Sequence, residues 1–469
     1  MKTLKENLPK ERKPILIEKN NCVELKNIKF IHDYFKFNKF LQPYKNIIKP
    51  EYLQKFENTA EIMFKNIGYG VFVFILEGNI HTFQIFANTT QVKPGSQNIT
   101  KKKIINYYKK TKKNNNIKNI KNIKNISKYG FNNCMIEFKN KWWKSYYITI
   151  YFDLLNSVLN NTNITTCFFL NLYDYPALYK HKCKQNILIK ENCSTNDTQN
   201  NNYIPVLSGT ITNEYYDKCI VNADTWKLVS QKKYYHYEKN RFINIYDLNE
   251  LKNINTNWDT KKNELIFRGA NNSCYPNDFK KNERLYVLKT LKKLYYDKKA
   301  LNKLHINVGL NRIASKSILD YKNGEINIIT SNKQIIEKGL GEMVSLDTIS
   351  IPKQSKCKYI LNINGYVDAW RLCYELSFNS CIILIISKYK SWFYYKLQNM
   401  KNIYIIDLNS KTFEDDLYNC LKVLESDDNI GKKIASGAVK LYNEIMNFDY
   451  IKKYMTSLLS EKEFDILIK

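Results

Sequence analysis

Three short stretches of this chain hold residues whose type and spacing could do chemistry. CFFLNLYDYP (167–176) is an apolar run ending in one acid, Asp174, two residues before Pro176. Burying an unpaired carboxylate is expensive, so an acid at the mouth of an apolar strand has either a task or an Asx-turn to make. ELIFRGA (264–270) sets Arg268-Gly269 at the carboxyl end of another apolar run. An arginine there, beside a glycine that lets backbone come close, suits a phosphate; a salt bridge at the core's edge is the alternative. GYVDAWRL (365–372) follows the apolar YILNIN. Gly365 allows a tight turn, Asp368 is placed to cap a helix, and Arg371 lies one turn further on. Backbone N–H groups at such a helix start attract an anion, though a plain strand–turn–helix junction with a capping acid reads the same way. Taken together, two strand-end arginines favour a diphosphate.

The elements that would position these residues follow from periodicity. KNELIFRGA (262–270), HINVGL (305–310), KCKYILNIN (356–364), CIILIIS (381–387) and NIYIID (402–407) read as strands. ERLYVLKTLKKLYY (283–296), AWRLCYELSF (369–378) and KTFEDDLYNCLKVLES (411–426) have helical spacing. Strands alternating with helices at short intervals predict a doubly wound α/β lobe, whose ligands bind at the carboxyl ends of its parallel strands. Upstream, KNIGYGVFVFILEGNIHTFQIFA (65–87) predicts a hairpin around Glu77-Gly78-Asn79. Residues 134–161 begin as a strand and close as a helix, 187–209 form a polar loop, and 230–260 connect two lobes.

The chain has 469 residues, too many for one core, and 44% of them are hydrophobic. Lys and Arg number 74 against 44 Asp and Glu, a net charge of +30. That excess suits a polyanion such as nucleic acid, an anionic membrane or an acidic glycan. Asn, Ile, Tyr and Phe abound as well, all with codons rich in A and T, and base composition raises lysine without selecting any ligand. The basic stretch KKKIINYYKKTKKNNNIKNIKNIKNIS (101–127) repeats with a period of three, matching neither helix nor strand. It reads as a solvated insertion or as a track for phosphates.

Several function classes lose support. A G-x-x-x-x-G-K-[ST] loop and a G-x-G-x-x-G turn are both missing, against ATPase and dinucleotide readings. No Asp-x-Asp pair occurs, so a diphosphate would be neutralised by arginines and helix dipoles. The five histidines are scattered, and no metal is expected. The eleven cysteines lack a C-x-x-C pair and read as reduced, mostly buried thiols. VFVFIL (71–76) and CIILII (381–386) are strand-sized, far short of the roughly 20 residues of a membrane span. MKTLKENLPKERKPILIEKN carries the charges of a signal segment without its apolar core, so the expected compartment is the cytoplasm.

Four stretches in order, FLNLYDYPAL (169–178), PVLSGTITNEYYD (205–217), WDTKKNELIFRGANNSC (258–274) and KYILNINGYVDAWRLCYELSFNSCIILIISKYKSWFYYKL (358–397), resemble glycosyltransferase family 90. That family includes capsule-associated xylosyltransferases, protein O-glucosyltransferases and homologues in large DNA viruses, which this chain's low-complexity, AT-rich character also resembles. The similarity spans roughly 130 to 460. It implies an α/β fold of GT-B type, two Rossmann-like lobes facing a cleft, with no metal and no cofactor beyond a UDP-sugar donor. It implies inverting transfer, of glucose or xylose first, to a hydroxyl of a protein or glycan. The family's general base falls on Asp174 and its diphosphate arginines on Arg268, beside Gly269, and Arg371. Gly365 and the backbone of Val367, Asp368, Ala369 and Trp370 line the same pocket. Arg284 either reaches the phosphates or pairs with an acid, and Glu375 is a candidate ribose ligand. Ala270, Asn272 and Ser273 depart from the family's usual Ser, Thr and Gly, Asp368 sets an acid beside the diphosphate, and Asn379 replaces a usual Gly. The implied division is a first lobe over 1–230, a donor lobe over 231–440 and a C-terminal helix over 441–469 that returns to the first lobe. The competing expectation is an inactive GT-B scaffold that binds polyanions; otherwise nucleic acid is not an expected partner.

Overall fold

The computed structural model describes residues 14–87, 145–178, 202–236, 241–243, 253–273, 275–297, 303–314, 317–322, 325–330, 332–344 and 346–467. The basic stretch at 101–127, the strand expected from 134 and residues 187–201 of the expected loop lie outside them.

Strands β1 (Ile15–Lys19) and β2 (Cys22–Lys26) form a hairpin across Asn20-Asn21, both at positive φ, as two-residue hairpin turns require. Then β3 (Phe30–Ile31), β4 (Tyr69–Leu76), β5 (Asn79–Ala87), β6 (Thr166–Asn171), β7 (Val206–Ser208) and β8 (Lys218–Cys219) build a six-stranded sheet. Its order is β3-β5-β4-β6-β7-β8. The Glu77-Gly78 turn, with φ of 50° and 74°, forces β4 and β5 antiparallel, and β4 pairs antiparallel with β6 too. The first sheet is therefore mixed, which corrects the expectation that both lobes are Rossmann-like. β9 (Lys233–His236) and β10 (Arg241–Ile243) lie where a connector was expected and extend the β1–β2 hairpin, β9 running parallel to β2.

The all-apolar sequence of β4 is explained by burial on both faces. Phe72 and Phe74 pack with Phe37, Tyr44 and Phe56 of the helices Tyr34–Lys45 and Pro50–Glu61. Val71, Val73 and Ile75 pack with Ile148, Leu154 and Leu155 of the helix Ser145–Leu159. Each such side chain contributes about 1.5–3 kcal/mol of transfer free energy.

The second sheet is wholly parallel. β11 (Lys262–Ala270) pairs with β12 (His305–Arg312) on one side. A separate antiparallel hairpin, β13 (Ser317–Lys322) with β14 (Glu325–Thr330), follows. On its other side β11 pairs with β15 (Cys357–Ile363), which pairs with β16 (Cys381–Ile386), which pairs with β17 (Tyr404–Asp407). Leu265, Phe267, Leu361, Ile383 and Ile385 join Leu285, Leu288 and Leu417 of the helices Glu283–Lys292 and Phe413–Ser426. Ile266, Ile360, Ile382 and Leu384 join the core that also contains the first sheet's Val71 and Leu170. One apolar cluster thus runs from one sheet to the other.

The helix expected over 369–378 is shorter. A single α-turn covers Leu372–Glu375 and a 3-10 turn covers Leu376–Phe378. Its cap position is Arg371, without a side-chain cap bond, so Asp368 is not the N-cap that the spacing predicted. The carboxyl of Asp368 is engaged elsewhere, as described below. At the chain's end the helix Phe448–Leu459 packs on Ser145–Leu159, and the Phe464 carbonyl accepts from Thr166 of β6. Among the described residues no helix is long and apolar enough to cross a membrane.

Candidate active site

Asp174 sits in a turn just after β6, half-buried, and its turn is clamped at both ends. Asn171, the last residue of β6, accepts from the Tyr173 N–H at 2.9 Å and donates to the Tyr175 carbonyl at 2.6 Å and to the Ser208 hydroxyl at 2.9 Å. Downstream, the buried Asp217 carboxylate accepts from the N–H groups of Ala177 and Leu178 at 2.5 and 2.6 Å and from Ser208 at 2.5 Å. Burial raises Asp217 to about 6, against the pull of those donors. A loop held this way presents its central acid in one place. Neither Asn171 nor Asp217 was singled out by sequence; their pairing with Ser208 spans 37 and 9 positions.

The second sheet contributes a guanidinium pair. Arg284, one residue into the helix Glu283–Lys292, donates to the Ala270 carbonyl at 2.7 Å and the Ile363 carbonyl at 3.3 Å, bridging the ends of β11 and β15. Gly269 and Gly365 make room for it. A methyl group on Gly269 would lie 3.2 Å from Arg284 Nη1, and one on Gly365 would lie 3.1 Å from Nη2. Both glycines permit this arginine's close approach, and Gly269 that of the Phe267 ring as well. Arg371 Nη1 donates to the Arg268 carbonyl at 2.7 Å. The guanidinium carbons of Arg371 and Arg284 lie 4.9 and 5.7 Å from the Phe267 ring centroid. Burial first, and then the Arg371 charge, bring Arg284 down to about 9. Two like charges held together in a buried place are unfavourable, and an anion between them reverses the sign.

The other expected residues fall as follows. All three guanidinium nitrogens of Arg268 are committed within the protein: Nε to the Asp347 carbonyl, Nη1 to the Phe267 and Asn307 carbonyls, Nη2 to Asn307 Oδ1. What Arg268 offers the site is the carbonyl that receives Arg371. Glu375 is buried, with one oxygen accepting from Asn362 at 2.6 Å and the other 3.3 Å from Arg371 Nε; it orients Arg371. Val367 and Ala369 are buried and close the turn, Val367 accepting from the Gly365 N–H and Ala369 donating to Asn364 Oδ1. Asp368 is buried and accepts from the Thr210 hydroxyl and from the Trp370 indole N–H, which also reaches Thr210 at 3.1 Å. Thr210 follows β7, so these bonds join the two sheets at the site. Burial raises Asp368 to about 7, opposed by the donors around it.

Tyr366 feels both the acid and Arg284. Its phenol is pushed up to about 12, chiefly by burial and then by the Asp174 carboxylate, while Arg284 pulls it down. Asp174 and Arg284 thus both act on one side chain. Buried polar atoms without a hydrogen-bond partner among the described residues gather here: Glu283 Oε2, Arg284 Nε, Asp368 Oδ2, Arg371 Nη2 and Tyr394 Oη. Each such atom costs about 1–3 kcal/mol when left unmade, and a cluster of them marks a place built for a ligand. Chemically, Arg284 and Arg371 can hold an anion, and Asp174 is a carboxylate able to accept a proton. Among the described residues no group of three or more His, Cys, Asp or Glu side chains stands ready for a metal ion.

Comparison with known proteins places the chain in a family. Uncharacterized protein 179R of Invertebrate iridescent virus 6 is 26% identical over 453 residues, 86% of this chain and 36% of that protein. Uncharacterized protein 035R of Invertebrate iridescent virus 3 is 22% identical over 272 residues, 56% of this chain and 22% of that protein. The chain spans about a third or less of the length of these relatives. Among solved structures, Anabaena HepE in complex with UDP-glucose is 12% identical at a TM-score of 0.29, over 55% of this chain and 64% of that one. TarM is 12% identical at a TM-score of 0.32, over 56% and 52%. The sequence model of glycosyl transferase family 90 matches residues 182–463, more than half of the chain, and the chain belongs to that family.

Proposed function

We propose that this chain is an inverting, metal-independent glycosyltransferase that moves a sugar, glucose or xylose first, from a UDP donor to a hydroxyl of a protein or glycan. The observation that carries the reading is the pair Arg284 and Arg371, stacked on Phe267 and bonded to the carbonyls of Ala270, Ile363 and Arg268 at the ends of β11 and β15, with Asp174 held in the clamped turn after β6. In this mechanism the acceptor hydroxyl lies against Asp174, which takes its proton as the oxygen attacks the anomeric carbon. The bond from that carbon to the diphosphate breaks on the opposite face, which inverts the centre. The charge that develops on the departing UDP falls on Arg284 and Arg371, whose free N–H groups are already in place and need no reorganisation. The proton leaves Asp174 for solvent after the product departs.

The cleft of a GT-B enzyme is the natural frame, with the turn after β6 on the acceptor side and the ends of β11 and β15 on the donor side. Arg268 serves by positioning Arg371, and Glu375 by orienting it. The compartment we propose is the cytoplasm, that of the infected host for a viral chain. Incubating the folded protein with a panel of UDP-sugars and measuring UDP release tests the proposal. Release with at least one donor is expected; neither binding nor turnover of any nucleotide sugar would remove it.

A further inference from the structure

Glu283 is the first residue of the helix that carries Arg284, and the mechanism above gives it no work. The helix is capped by Asn282, whose side chain accepts from the Leu285 N–H, so Glu283 is not needed as the cap. Its carboxyl lies among Ser387 and Lys388, just beyond β16, and beside Arg284. Burial raises it to about 7, against the pull of Ser387, Arg284 and Lys388. Its Oε2 is buried and has no hydrogen-bond partner among the described residues. The same carboxylate acts on the Tyr389 phenol, and the Tyr389 ring meets the Tyr175 ring edge-on at 6.0 Å. Tyr175 is the neighbour of Asp174. Glu283 therefore adjoins Arg284 at the helix start, and Tyr389, on which its carboxylate acts, meets the turn that bears the acid.

In a displacement with the base on one side and the leaving diphosphate on the other, the sugar ring occupies the space between them. A carboxylate bordering that space disfavours an acidic sugar, and its open oxygen asks for a hydroxyl donor. We infer that Glu283 Oε2 accepts a hydrogen bond from a hydroxyl of the transferred sugar, and that the donor is selected as a neutral sugar over a uronic acid. The inference rests on the proposed transfer from a UDP-sugar.

The test compares wild type with Glu283→Gln on UDP, UDP-glucose, UDP-xylose and UDP-glucuronate, measuring affinity by calorimetry and kcat/KM by UDP release. A buried acceptor that loses its charge weakens recognition of a hydroxyl by about 10- to 100-fold in kcat/KM. The expected result is that loss for the neutral donor, unchanged affinity for UDP itself, and a narrower gap between neutral and glucuronate donors. Unchanged kcat/KM, or a loss of UDP affinity as large as the loss of donor affinity, would overturn the assignment. Should Glu283→Gln fail to fold, Ser387→Ala, which strips the carboxyl of its hydroxyl neighbour, is expected to shift the same donor preference to a smaller degree; no shift would count equally against it. A wild type that binds neither UDP nor any UDP-sugar instead removes the underlying transferase reading.

Discussion

Asp368 lets the electrostatics of the site be tested without any substrate. Its carboxyl is buried and raised to about 7 from an ordinary value of 3.8, chiefly by burial. In the unfolded chain it loses its proton near pH 4, while in the folded protein it keeps it to about pH 7. The unfolded state therefore binds fewer protons across that window, and stability falls as pH rises from about 4 to about 7. At about 1.4 kcal/mol per pKa unit, the penalty grows by a few kcal/mol between pH 5 and pH 8. Asp368→Asn keeps an oxygen for Thr210 and Trp370 and cannot ionise, so it escapes this penalty. Asp217 and Glu283 are raised in the same direction and are present in both proteins, so they cancel in the comparison. The assay is denaturant or thermal unfolding of both proteins from pH 5 to pH 8.5. The variant is expected to gain on wild type steadily with pH, ending about 1–3 kcal/mol more stable than at the acid end relative to it. Parallel curves, or a variant that loses ground at high pH, would refute the buried-acid account of the junction between the sheets.

Two further perturbations address the arginines. Arg371→Lys keeps a positive charge beside Glu375 but loses the flat fork that reaches the Arg268 carbonyl and lies over Phe267; UDP affinity by calorimetry should fall about 10- to 100-fold with the melting profile kept, and an unchanged affinity would exclude Arg371 from the diphosphate site. Gly365→Ala sets a methyl group 3.1 Å from Arg284 Nη2, so it should weaken UDP binding by displacing that guanidinium; if affinity holds while stability drops, Arg284 is a structural bridge and nothing more.

Much of the second sheet is legible in the chain. The strands β11, β15 and β16 hold apolar runs because both faces are buried there, and the carboxyl ends of the strands are where the rule for parallel sheets directs attention. The hairpin β4–β5 is announced by Glu77-Gly78. The sequence SILDYKNGEINIIT (317–330) alternates around Asn-Gly and carries the hairpin signal of β13–β14 in plain form, yet it lies among strand–helix units and was not expected as one.

The site itself is only partly legible, because the deciding contacts are long-range. The helix after β15 starts late because Asp368 turns to Thr210, 158 positions away, rather than to its own backbone. Arg268 looks like a phosphate ligand until Asn307 and Asp347, 39 and 79 positions on, take its donors. Arg284 looks ambiguous until the two glycines are seen to flank it. In each case the local pattern names the right segment, and a partner on another strand decides what the side chain does.

The central claim is that Asp174 takes a proton in a transfer whose leaving group is held by Arg284 and Arg371. The most direct measurement pairs UDP-sugar turnover with UDP binding in wild type and Asp174→Asn. Loss of the base should lower turnover by about 100-fold or more while UDP affinity and folding stay as in wild type. Turnover in Asp174→Asn equal to wild type would contradict the account.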